Sequence, residues 1–191
     1  ENAMLRQARS LLKPEGRLII AIENQLGLKY FAGAAEDHIG KPMYGIEGRY
    51  QREQPQTFGR KQLGALLEEA GFASSQFAAP FPDYKFPVSI VMETGFTTTG
   101  FDAAPLAWQS VRRDPQLPPH LSFSLEMAWP EIFKNGIALD LSNSFLVVAS
   151  PSVSQPEREE TTLAYHYSTD RRPEFCKETA FLKDSEGKIS V

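Results

Sequence analysis

The sequence predicts an α/β chain: a partial doubly wound sheet with a long insertion, followed by a short β-rich extension. Three stretches carry that expectation. Arg17–Glu23 (RLIIAIE) holds an unbroken apolar run from Leu18 to Ile22, and a run without period-two alternation is the pattern of a strand covered on both faces. Thr57 to Ala70 (TFGRKQLGALLEEA) sets Leu63, Leu66, Leu67 and Ala70 at helical spacing, and Gly71 follows where a helix ends in a left-handed residue. Asn143 to Ala149 (NSFLVVA) is a second apolar run of strand length.

Composition narrows the function classes. Of 191 residues, 41% are hydrophobic and 23% charged, the balance of an ordinary globular chain. Twenty basic residues against 24 acidic ones give a net charge of −4, which supplies no basic face for nucleic acid. No apolar run approaches the roughly 20 residues a membrane span requires, and no signal-peptide pattern precedes Gly16, so a cytoplasmic setting is expected. The single cysteine, Cys176, rules out an internal disulfide framework and a cysteine-rich metal site. His38, His120 and His166 lack the spacing of metal ligands, so no metal is expected.

The remaining elements follow in order. Glu1 to Leu12 reads as a helix with Met4, Leu5, Ala8, Leu11 and Leu12 on one apolar stripe, stopped by Pro14 and Gly16. After the first strand, Asn24 to Pro55 is a polar loop containing Tyr30, Phe31, Tyr44 and Tyr50, whose aromatic content favours an ordered, substrate-side loop. Thr57 is the expected N-cap of the next helix. Ser74–Ala79 is a strand running into Pro80–Pro87 (PFPDYKFP), a rigid extended segment whose prolines exclude a central strand. Val88–Glu93 is a strand or a helix start, and Pro105–Val111 a short helix. Leu121–Phe133 is expected as two helical pieces split at Pro130, ending at Asn135-Gly136. Trp108 and Trp129 read as core or interface, and Cys176 as a buried small hydrophobe in a strand. Residues 151–160 (PSVSQPEREE) have linker composition. Residues 161–191 hold strands at Leu163–Ser168 and Glu174–Leu182, a turn at Asp184–Lys188 and a last strand at Ile189–Val191, and read as the start of a further β-rich segment.

LLKPEGRLIIAIEN, with the helix before it, resembles the fifth strand of class I S-adenosylmethionine-dependent methyltransferases. More specifically, ENQLGLKYFAGAAEDHIGKPMYGIEG, TFGRKQLGALLEEAGF and PFPDYKFP resemble the methyltransferase part of large bacterial proteins of surface-polysaccharide (O-antigen-type) synthesis. The resemblance implies that residues 1–150 are the C-terminal part of a Rossmann-like methyltransferase domain. The helix ending in AGF is then followed by an antiparallel pair of strands, at Ser74–Ala79 and Asn143–Ala149. It also implies S-adenosylmethionine as cofactor of a longer protein and a glycan or sugar-nucleotide acceptor. No two glycines stand two apart anywhere in the chain, so the glycine turn that such a cofactor requires is lacking. The expectation is that this chain alone neither binds the cofactor nor acts as an enzyme, and that an incomplete sheet self-associates through its exposed edge. The alternative is a non-catalytic scaffold module of a multidomain protein whose sugar or phosphoryl transfer lies in another domain.

Candidate site residues fall in four groups. His38, within Glu36-Asp37-His38, is the candidate base, or else a solvated loop histidine. Glu23 and Asn24, at the carboxyl end of the first strand, either position the acceptor or cap the following turn. Asp83 and Tyr84, held between prolines, form a sugar-binding carboxylate–aromatic pair or an Asx turn. Lys29 and Tyr30 are candidates to meet a phosphate of a nucleotide or lipid-linked sugar, or else a solvated lysine beside a packed tyrosine, and Asp37 completes the substrate-binding set.

Overall fold

The computed structural model describes residues 2–153, 161–168 and 170–191. It is an α/β structure built on one seven-stranded sheet, ordered β1-β4-β2-β3-β5-β6-β7. The strands are β1 (Leu18–Glu23), β2 (Ser74–Phe81), β3 (Ser89–Met92), β4 (Ser144–Ser150), β5 (Thr161–Ser168), β6 (Lys177–Lys183) and β7 (Ile189–Ser190). Every ladder in it is antiparallel. β1 and β2 run in the same direction and are joined through helix α3 (Arg60–Glu69), but β4 lies between them and pairs with both. A return strand drawn from far along the chain thus occupies the place where two parallel neighbours would meet.

β1 is an edge strand, not a central one. Among the described residues its only ladder is with β4. Leu18, Ile20 and Ile22 pack on the core while Ile19 is 67% exposed. The unbroken apolar run predicted two covered faces; here one of them is open. The first helix, α1 (Asn2–Leu11), packs on α3, and Arg9 Nε donates to the Gly71 carbonyl at 2.9 Å. Leu5 and Leu12 join the core, whereas Met4 and Leu11 of the expected stripe are exposed.

The loop after β1 contains one short helix, α2 (Leu28–Phe31). Helix α3 starts two residues later than expected: Gly59 is its N-cap, and Thr57 Oγ1 instead meets the Tyr50 hydroxyl at 2.7 Å. Its end is as predicted, with Gly71 at φ +92° and Phe72 N bonded back to the Leu67 carbonyl. β2 extends through Pro80 to Phe81, so part of the proline segment lies in a central strand after all. Two observations explain why Pro80 is tolerated. The Phe81 carbonyl accepts from Val88 N, which places the backbone polar groups of Pro80 on the β4 side. Pairing with β4 has already ended at Ala78, so no ladder bond is lost.

Helix α4 (Glu93–Thr97) follows β3 directly, and α5 (Ala104–Trp108) matches the expected short helix. Leu125–Lys134 is one helix, α6, with Pro130 inside it, rather than two pieces. Ser124 caps it by accepting from Met127 N, and Trp129 is buried against Phe81 in an edge-to-face contact at 5.3 Å. That cap and burial offset the hydrogen bond that proline removes. A short α7 (Ala138–Leu141) leads into β4. The centre of the core holds Phe77 and Phe145, in edge-to-face contact at 5.5 Å, with Leu67, Val91, Val147 and Trp129.

The C-terminal segment extends the same sheet, because β5 pairs with β3 from Ser89 to Val91 and buries Leu163 and Ala164. Cys176 is exposed and stands just before β6, not buried within it. Most of the expected 151–160 linker falls outside the described residues.

Gly95 sets the seat of β5. A Cβ there would lie 2.3 Å from the Leu163 carbonyl oxygen and 3.0 Å from Val91. Gly95→Ala should therefore push β5 off α4 at a cost of about 1–3 kcal/mol, the usual range for overpacking. Urea unfolding would measure it, and Gly64→Ala, at a helix position with no atom within 4 Å of the added methyl, serves as the tolerated control.

Candidate functional site

Three segments distant in the chain meet beyond the carboxyl end of β1. Asn143, just before β4, ties them together. Its carbonyl accepts from Asn24 N at 3.0 Å, its Oδ1 accepts from Lys29 N at 3.1 Å, and its Nδ2 donates to the Pro82 carbonyl at 3.0 Å. Ser144 Oγ accepts from Tyr84 N at 2.9 Å. The start of β4 therefore fixes α2 and the proline segment against the end of β1.

On that frame sits a network of charged side chains. Lys29 is 0% exposed. Its ammonium donates to Asp83 Oδ2 at 3.1 Å and Gln116 Oε1 at 2.6 Å, with Asp37 Oδ2 at 3.8 Å and Asp114 Oδ2 at 4.0 Å. Lys85, about a third exposed, lies closer to solvent. Its ammonium donates to Glu23 Oε1 at 2.5 Å and Asp37 Oδ1 at 3.1 Å, and stands 4.7 Å from the centre of the Tyr84 ring. The Tyr84 hydroxyl donates to Glu23 Oε1 at 3.2 Å, and the Tyr30 hydroxyl donates to Asp37 Oδ2. His38 is the most exposed member, with Nε2 3.9 Å from Glu23 Oε2.

Seven of the eight predicted residues, Glu23, Lys29, Tyr30, Asp37, His38, Asp83 and Tyr84, thus lie in one cluster. Asn24 does not join it. Its Nδ2 donates to the carbonyls of Asp140 and Ser142, and its Oδ1 accepts from Leu26 N, so its side chain braces the turn after β1. Asp83 does both things considered for it: Oδ1 makes the Asx turn by accepting from Lys85 N at 3.0 Å, and Oδ2 holds Lys29. Lys29 has no surface with which to reach a phosphate.

Three members lay outside the sequence-based set. Lys85 stands in the singled-out FPDYKFP motif, but a lysine reads as solvated by default. Asp114 and Gln116 lie in the weakly patterned stretch before α6, and Gln116 is 87 residues from Lys29. A buried lysine in the sequence would have demanded such partners, but nothing local marks Lys29 as buried.

The electrostatics follow from burial. Burial alone would raise the Asp37 carboxyl, but Lys29 and hydrogen bonds from Tyr30, Gln116 and Lys85 outweigh it and hold it below the usual carboxylate range. Burial pushes Asp114 up, and Lys29 only partly opposes it. Asp114 Oδ2 has no hydrogen-bond donor and lines a cavity of about 10 Å³ with Trp129 and Asn143, room for about one water. Burial and the nearby Asp37 keep the Tyr30 hydroxyl protonated. Burial, which alone would lower Lys85, is outweighed by Glu23, Asp83 and Asp37, so its ammonium is held above the ordinary range. Burial and Glu23 likewise raise Tyr84.

Among the described residues no group of three or more ligating side chains could hold a metal, and no helix is long and apolar enough to cross a membrane. The glycines in tight surroundings, Gly16, Gly27, Gly45 and Gly95, pack against protein atoms of this chain. A second cavity, of about 90 Å³, is lined by Gln109, Arg113, His166 and Asp170 and shares no residue with the cluster. Compared with protein families, with characterised proteins and with solved structures, the chain matches none.

Opposite pH dependences should separate two of the carboxylates. A raised folded-state pKa at Asp114 contributes stability at acid pH that is lost as pH rises through the folded value. Asp114→Asn should therefore match the wild type near pH 4 and be the more stable of the two at pH 8. The lowered pKa of Asp37 works the other way: its contribution is present above the ordinary carboxylate range and lost as pH falls through the folded value. Asp37→Asn should be destabilised at pH 7, with the deficit shrinking on acidification. Urea midpoints between pH 3 and 8 decide both, and parallel curves for wild type and variants would refute the assignment.

Proposed function

We propose that this chain supplies the acceptor side of a methyl-transfer site, acting on a sugar or glycan precursor. The observation that carries the reading is the convergence just described. The end of β1, the loop bearing Asp37 and His38, and the Asp83-Tyr84-Lys85 segment lie in three of the four stretches on which the methyltransferase resemblance rests, and their polar side chains form one cluster. The order β1, α3 and β2, with β4 antiparallel beside β2, is what that resemblance implies for the end of a Rossmann-like sheet.

The residues divide the work. Lys29, wholly buried, anchors the loop to the proline segment and has no part in contact with a substrate. The buried carboxylate of Glu23, with the partly exposed Tyr84 and Lys85, forms the rim that would orient an acceptor. His38, the solvent-facing group beside Glu23, would take the acceptor's proton. On this reading S-adenosylmethionine, the donor the resemblance implies, is bound by another part of a longer protein. The open edge of β1, with Ile19 exposed, is the surface through which copies of this chain would associate.

The test is transfer of labelled methyl from S-adenosylmethionine to sugar and glycan acceptors by a longer protein that contains this chain. His38→Ala should lower the rate by about 10²-fold or more, the usual share of a general base, while an exposed change at Asp170 should leave it unaltered. Binding of S-adenosylmethionine to the present chain at micromolar concentration in a calorimeter would contradict the assignment of the donor site elsewhere.

One observation favours a second reading, that of a non-catalytic scaffold module. Both lysines of the cluster already have carboxylate partners, and the cavity adjoining Asp114 is water-sized. If the network only holds the loop, His38→Ala alters no activity of a longer protein that contains this chain, while Asp83→Asn merely lowers stability.

A further inference from the structure

The rim of the cluster has a gap of defined size. Glu23 is a buried carboxylate whose two oxygens differ. Oε1 accepts from the Tyr84 hydroxyl at 3.2 Å and from Lys85 at 2.5 Å. Oε2 faces His38 Nε2 at 3.9 Å, beyond hydrogen-bond reach, so the two acceptors are close enough to meet neighbouring hydroxyls of one ligand. His38 is held there from below: its backbone N–H, with that of Ile39, donates to Glu36 Oε2, and Glu36 Oε1 accepts from the Tyr50 hydroxyl at 3.1 Å. The backbone that carries the imidazole is therefore tied to Glu36 rather than trailing in solvent.

The charge around the gap decides what can enter. Four carboxylates, Glu23, Asp37, Asp83 and Asp114, surround two ammonium groups. Lys29 is sealed, and Lys85 is already shared between Glu23 and Asp37. No cation of the network is left to receive an anion, and a phosphate brought to this rim meets like charge.

Resting on the acceptor reading above, we infer that His38 Nε2 and Glu23 Oε2 together seat two adjacent hydroxyls of a neutral sugar unit, one donating to each, and that any phosphate on the acceptor is held away from this cluster. Nε2 and Oε2 each take the proton of one hydroxyl as a hydrogen bond, the role of a nitrogen lone pair and of a carboxylate oxygen. Tyr84 and Lys85 are positioning residues, since they hold Oε1 and so leave Oε2 facing the gap.

The test follows the His38 ring signals of this chain by NMR during titration with matched probes. These are the methyl glycosides of glucose, galactose and mannose, the corresponding sugar 1-phosphates, and inorganic phosphate. At least one methyl glycoside should shift His38 saturably, with its 1-phosphate partner bound about tenfold or more weakly, one like-charge contact's worth, and inorganic phosphate without effect. Glu23→Gln should weaken the glycoside and narrow its advantage over the 1-phosphate. Tyr84→Phe, which deletes one bond onto Oε1 and leaves Lys85 in place, should weaken the glycoside without unfolding the loop, as checked by the unchanged signal of Tyr50. A sugar 1-phosphate that binds as tightly as its glycoside, or more so, overturns the inference and leaves the acceptor reading standing. Saturable shifts from none of the probes overturn both.

Discussion

The ammonium of Lys29 organises the region around the end of β1. It is removed from water completely, and a lone buried ammonium would cost several kcal/mol. The chain offsets that cost with Asp83, Gln116, Asp37 and Asp114, drawn from the proline segment, the stretch before α6 and the loop after β1. Removing Asp83, the carboxylate bonded directly to that ammonium, would leave buried charge uncompensated, so these segments hold one arrangement relative to each other. The apolar core does not impose that uniqueness, because a loop of some thirty-five residues between Asn24 and Phe58 could be laid over it in more than one way. A buried ion pair seldom adds net stability, and specificity of arrangement is the role that fits this one.

The sheet makes the convergence possible. Because β4 enters between β1 and β2, its first residues lie beside the last residue of β1 and near the end of β2. Asn143 and Ser144 can then bond to α2 and to Tyr84 from a single position. In an edge strand with one open face, Glu23 is the only member of β1 that is fully buried, and it is buried by polar neighbours rather than by a second layer of helices. The polar end of the strand is thus a consequence of what the loop and the proline segment place over it.

Much of this was readable in the chain, and what was not has a physical reason. The strands Arg17–Glu23 and Asn143–Ala149 and the helix ended by Gly71 announced themselves through local pattern, since apolar runs and a left-handed glycine are local constraints. Asp83 and Tyr84 stood out because prolines bracket them. The exposed face of β1 could not be seen, because an apolar run records what a residue tolerates and not what covers it. Pro80 misled for a related reason: a missing N–H excludes a central strand only where a partner would have used it, and the length of the β4 ladder is a property of the pairing. Lys85, Asp114 and Gln116 escaped because their meaning is set by Lys29, and no short-range pattern distinguishes a buried lysine from a solvated one.

The separation of the two lysines bears on how a structural network and a reactive rim coexist. Lys29 and Lys85 share Asp37 and Asp83, so the inner and outer halves are electrostatically one unit. They differ in water. The inner half is sealed, so its interactions are strong and its geometry rigid; the outer half is wet, so its interactions are weaker and exchangeable. Glu23 stands on the boundary, its Oε1 tied to the outer lysine and tyrosine and its Oε2 toward the exposed histidine. A ligand hydroxyl arriving at Oε2 therefore displaces no ion pair of the inner half and disturbs none of the contacts that fix the fold. Rigidity below and exchange above is the condition under which a group can be held within a few tenths of an ångström of its working position and still meet substrate, and the asymmetric use of the Glu23 oxygens is how this cluster meets it.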